Sequence, residues 1–209
     1  MKTRLSLLSS ALLLAMSSTV FAASSVDLTV KGLITPSACA PSLSNGGVID
    51  HGKVAAKDLK LDNYTLLGNH RLELAITCDA PTLLALKGTD NQGSSYDPDN
   101  AYGLGLVSGK KLGGYTLILD NPMADGAVIS LIGSRDNGLS WLETSPGDVW
   151  PVVDLASFGD RSTGSWAPAP VQQVTAGLMV QTIIAPTAGM DLTSEVPIYG
   201  SATIEVKYL

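Results

Sequence analysis

Histidine is almost missing from this 209-residue chain, which has only His51 and His70. A Ser-His-Asp site would need one of them. Both are expected in solvated loops, His51 beside Gly52 in a turn and His70 just ahead of a strand. No Gly-x-Ser-x-Gly occurs, so a nucleophile elbow is excluded, and no catalytic residue is assigned. Cysteine is equally scarce, with Cys39 and Cys78 alone and no Cys-x-x-Cys. That spacing argues against a redox or metal site, so neither metal nor cofactor is expected. Long apolar runs are missing too. A membrane span needs about 20 apolar residues. Residues 174–185, the best candidate after the N-terminus, contain Thr, Gly and Gln. Helical stripes, heptads and internal repeats are absent, apart from room for one helical turn at residues 57–61.

What is present begins with an export signal. Lys2 and Arg4 precede an apolar, serine-interrupted stretch, and Val20-Phe21-Ala22 places small side chains where a signal peptidase reads. Residues 1–22 are therefore expected to be removed before Ala23. The mature chain keeps 11 Lys and Arg against 19 Asp and Glu, a formal charge of −8. So acidic a chain offers no basic stripe for nucleic acid. Residues 23–209 suffice for a single domain with one core. Two thiols in an exported chain most simply pair with each other, so a Cys39–Cys78 disulfide is expected.

Apolar and polar residues alternate in several stretches, the period-2 pattern of a half-buried strand. Val26, Leu28 and Val30 share one face. Leu72, Leu74, Ile76 and Cys78 share another, which aims the Cys78 sulfur inward. Val174, Ala176, Leu178, Val180 and Ile184 form a third row. Near the C-terminus, Ala202, Ile204, Val206 and Tyr208 face inward, with Thr203, Glu205 and Lys207 outward. Turn clusters lie between, at residues 44–47, 90–100, 108–114, 120–126, 135–138 and 159–170. The fold class is all-β, a two-sheet sandwich. Asp90, Asn91, Asp97, Asp99 and Asn100 have oxygens enough for calcium, but lack the spacing of a calcium loop and read as a polar hairpin loop. Trp141, Trp150 and Trp166 are candidates for stacking on a sugar ring or for core packing.

Residues at both ends resemble the pilins assembled by the chaperone–usher route. The stretch from Val30 to Cys39, with Gly32 seven residues before the cysteine, is similar to their first strand. Residues 49–54, Ile-Asp-His-Gly-Lys-Val, and residues 202–209, with their penultimate tyrosine, are similar to two further pilin strands. Residues 34–39, Cys78-Asp79-Ala80-Pro81, Thr89-Asp90-Asn91 and residues 102–106 resemble a narrower group. These are fimbria-like, beta-fimbrial proteins of Gram-negative bacteria that carry a domain of unknown function.

The resemblance implies an immunoglobulin-like, pilin-type sandwich that lacks one strand. Residues 23–31 would then be a donor strand, presenting Val26, Leu28 and Val30 to a neighbouring subunit. Ala202, Ile204, Val206 and Tyr208 would face a periplasmic chaperone or subunit, with an outer-membrane usher as a further partner. The expected function is a structural fimbrial subunit in cell adhesion, passing through the periplasm to the cell surface. The alternative is a self-complete secreted or periplasmic binding module, with carbohydrate as ligand and the tryptophans as its contacts.

Overall fold

The computed structural model describes Thr29 and residues 38–209. The expected signal, its cleavage point and the row Val26, Leu28, Val30 lie outside the described residues. In chain order the first strands are β1 (Cys39–Leu43), β2 (Thr65–Thr82), β3 (Leu84–Asp90), β4 (Tyr102–Gly103), β5 (Leu106–Val107), β6 (Lys110–Lys111) and β7 (Gly113–Ala124). The rest are β8 (Ala127–Val128), β9 (Ser130–Ser134), β10 (Leu142–Glu143), β11 (Leu155–Asp160), β12 (Ala167–Pro168), β13 (Val171–Ile184) and β14 (Ala202–Tyr208). Two 3₁₀ turns, Ser44–Gly47 and Ala56–Asp58, are the only helical pieces among the described residues.

Antiparallel pairing sorts these strands into two main sheets. One runs β1-β2-β13-β7-β4, with β8 on β7. The other runs β10-β9-β11-β3-β14, with β12 on β11, while β5 and β6 form a separate ribbon. A constant-type immunoglobulin sandwich has strands A, B, E and D in one sheet and C, F and G in the other. With β1, β2, β3, β7, β13 and β14 taken as A to F, the first sheet here has the A-B-E-D order. The second has the C–F pair, widened beyond C by β9 to β12. Among the described residues nothing pairs with the outer edge of β14, where G would lie. The expected all-β, two-sheet sandwich is thus the fold.

The core follows the alternation. Leu72, Leu74, Ile76 and Cys78 on β2 are at most 8% exposed, whereas Arg71, Glu73 and Thr77 lie outside. They meet Leu178 and Val180 on β13 and, across the sandwich, Leu84 and Leu86 on β3 and Phe158 on β11. Each such side chain contributes roughly 1.5–3 kcal/mol when fully buried. Cys39 sits opposite Cys78 in the β1–β2 register, and the two form the disulfide. Closing a loop of 39 residues contributes about 3–4 kcal/mol on chain-entropy grounds.

Some expectations need correction. Residues 120–124 belong to β7, so the turn there is only Asp125-Gly126. The cluster at 159–170 holds the short strand β12. His70 lies within β2 rather than ahead of it.

Candidate functional site

Residues 44–47 turn the chain out of β1 because Asn45, Gly46 and Gly47 all take positive φ. The chain then runs along the sandwich through residues 48–55 without joining a sheet. Opposite it, residues 195–201 approach β14, also outside any sheet. The inward alternation of β14 starts before the strand does. Val196 and Ile198 are half-buried against Leu104, Leu112 and Ile184, ahead of Ala202 and Ile204. Gly200 falls in the same row. A Cβ there would run into the ring of Tyr115 and crowd Leu104, so the chain passes this point only as glycine.

Between the two segments lies a slot in two connected parts, of about 630 and about 720 Å³, which share Ile49, His51 and Ile198. Leu72, Leu74, Leu117, Leu178 and Val180 floor the first part, and Leu112 and Ile184 the second. Ile49, Ile198, Ala202 and Ile204 on the walls are only half-buried. Within the described residues, the backbone of residues 49–54 makes one hydrogen bond, Gly52 N–H to Asp50 Oδ1. That of residues 195–200 makes none. One end of the slot is closed. There the Cys39 N–H donates to the Tyr208 hydroxyl over 2.9 Å, tying β1 to the end of β14 beside the disulfide.

Polarity enters the slot at one place. Thr182, 3% exposed, interrupts the aliphatic row of β13. Its Oγ1 is 3.1 Å from His51 Nε2, and the His51 ring stands edge-on to His70 at 4.8 Å. Burial, then the neighbouring His70, lowers the pKa of His51 below 6.5, while Asp50 opposes the shift. The expectation of two solvated loop histidines is therefore corrected. The only advance signal was Thr182 itself, standing where the inward row demands an aliphatic residue. At the slot's outer mouth Lys53 and Glu195 form an ion pair of 3.2 Å between exposed side chains.

Of the four residues expected on the inward face of β14, Ala202, Ile204 and Val206 are half-buried against the core, and Tyr208 is half-buried with its hydroxyl on the Cys39 amide. Only Ala202 and Ile204 line the slot, since Val206 and Tyr208 sit toward its closed end. The tryptophans are not brought together. Trp150 is 3% exposed in the core and donates from Nε1 to the Asp154 carbonyl, which takes it out of any ligand-facing set. Half-buried Trp141 packs near Gly138. Half-buried Trp166 lies under the Arg161 guanidinium, 5.7 Å from its centroid, in a shallow pocket of about 400 Å³. In the polar loop, the Asp90 carboxylate accepts from the amides of Gln92, Gly93 and Gly103, and Asp97 accepts from Asn100. These bonds account for the loop's carboxylates as turn formers.

Residues 28–108 match the model of a family described as a protein of unknown function, DUF1120. The match takes in both cysteines and the wall at residues 48–55. Two proteins of Escherichia coli strain K12 are similar along nearly the whole chain. Protein GltF is 26% identical over 225 aligned positions, covering 88% of each chain. The uncharacterized protein YhcF is 25% identical over 221 positions, covering 90% of this chain and 92% of its own. This chain is thus similar to proteins that share its full length, and the family match spans β1 to the start of the β5–β6 ribbon.

Proposed function

We propose that the protein is a structural fimbrial subunit that accepts a β-strand from a neighbouring copy in this slot. The observation that carries the proposal is that, among the described residues, the backbones of residues 49–54 and 195–200 on either side of an apolar floor have no ladder partners. Backbone groups left without partners as they lose water cost about 1–3 kcal/mol each. An added strand satisfies both rows while covering the floor, which is the physical basis of strand addition. Such edges also invite indiscriminate pairing, so a chain carrying them needs a guard until its partner arrives.

The occupant is residues 23–31 of the next copy. At about 3.3 Å per residue they span roughly 30 Å. Val26, Leu28 and Val30 enter the slot while Asp27, Thr29 and Lys31 face out. A periplasmic chaperone is the guard in transit and an outer-membrane usher the point of assembly. The final place is a fimbrium at the cell surface, in cell adhesion. No step of this mechanism uses a catalytic group or a cofactor.

Deleting residues 23–31 tests the proposal. The shortened chain is expected to fold and to remain monomeric when the full mature chain assembles, as size-exclusion chromatography would show. Unfolding or aggregation of the shortened chain would instead mean that the segment is a strand of its own domain. That outcome favours the second reading, a self-complete binding module, for which the pocket at Trp166 and Arg161 is the one supporting observation.

A further inference from the structure

A slot meant only for aliphatic side chains has no use for Thr182, His51 and His70. The three come from different parts of the chain. Thr182 lies on β13, His70 on β2 opposite Val180, and His51 on the unpaired wall. His51 lines both parts of the slot and Thr182 the first, while His70 stands edge-on to the His51 ring. Any strand lying along the slot must therefore cover His51 and Thr182 as well as the aliphatic floor.

We propose that His51, set between Thr182 and His70, makes occupancy of the slot depend on pH, its neutral imidazole admitting an apolar strand and its protonated form rejecting it. The proposal rests on the strand-acceptor function above. Its physical basis is the cost of burying an imidazolium under an aliphatic strand without a counter-charge. The groups that face the pair are few. Asp50, on the same wall as His51, favours the proton, and the neighbouring His70 disfavours it. From β13 and β7 the neighbours are uncharged, Thr182 and its register partner Tyr115. At the mouth, Lys53 and Glu195 are paired with each other. On β2, Arg71 is outside and paired with Asp120.

The sign follows from linkage. Filling the slot strips more water from His51, so its pKa falls further below 6.5 in the occupied state than in the empty one. The occupied state binds fewer protons. Affinity is then complete above the titration of His51 in the empty slot and is lost as pH falls through it, by up to about tenfold per pH unit. Release at mildly acid pH is the consequence, in the range where histidine switches operate.

The test uses an acetylated, fluorescent peptide of residues 23–34 and the full mature chain, with binding followed by anisotropy. Binding is expected at about pH 7.5 and to be weaker at about pH 5.5, by up to about tenfold. His51→Gln combined with His70→Gln is expected to bind at both values with little difference. Should that variant fail to fold, the imidazole proton resonances of the unaltered chain serve instead. The His51 midpoint is expected to move to lower pH when peptide is present. Equal affinity at both values, or a His51 midpoint unmoved by peptide, overturns the pH dependence and leaves the strand-acceptor function standing. No binding at either pH overturns the strand-acceptor function itself, and the pH dependence with it.

Discussion

The two ends of the slot are built from the same alternating pattern yet hold their chain in opposite ways. At the closed end, β14 is hydrogen-bonded to β3 from Ala202 to Tyr208. Val206 packs on the core, and the Tyr208 hydroxyl reaches across to the Cys39 amide beside the disulfide. At the open end, Val196 and Ile198 continue the inward row, but among the described residues the backbones of 195–200 and 49–54 have no ladder partners. Alternation thus decides which side chains turn toward the core. Whether the backbone is paired is a separate matter, settled by what lies alongside. The difference separates a part that secures the fold from a part that the proposed function assigns to receiving another chain.

Five substitutions would sharpen or break that contrast. The largest effect is expected from Val206→Lys, which puts a charge against the core at the closed end and should abolish accumulation of folded protein. Lys207→Val, one residue on, loses a bond to Asn137 on the outer face and should change stability by no more than about 1 kcal/mol. Equal yields of the two variants would show the facing of β14 to be wrong. Next comes Cys39→Ser, expected to cost about 2–5 kcal/mol in denaturant unfolding, because it releases the joint between β1 and β2. A cost well under 1 kcal/mol would mean that packing alone secures the closed end. The smallest effect belongs to Ile198→Ala on the open wall, about 1 kcal/mol or less, against about 2–5 kcal/mol for Leu74→Ala in the floor. If Ile198→Ala costs as much as Leu74→Ala, the open end contributes to the fold like the closed one and the contrast fails.

The sequence carried the parts of this structure whose pattern is local. The rows Leu72–Cys78, Val174–Ile184 and Ala202–Tyr208 are legible because each strand has one buried face and a period of two. The disulfide followed from there being only two cysteines in a chain whose N-terminus reads as an export signal. β11 was not legible, because residues 155–159 are all buried and leave no alternation to find. Gly159 there lies so close to the backbone of Ala167 on β12 that no larger side chain fits. The slot was legible as two separate strand-like stretches, but not as a cavity with unpaired walls. The histidine pair was missed because its members are 19 residues apart and meet only through β2 and the wall. Sequence distance carries no sign of that contact.

Amide hydrogen exchange tests the account at its centre, comparing the mature chain as a monomer with the same chain after assembly. Residues 49–54 and 195–200 are expected to exchange rapidly in the monomer, since their amides lack ladder partners among the described residues, and to become protected once a neighbour's strand fills the slot. The β2 and β13 amides should be protected in both states. Strong protection of the two walls already in the monomer would contradict the account, because it would place a strand of the chain's own in the slot.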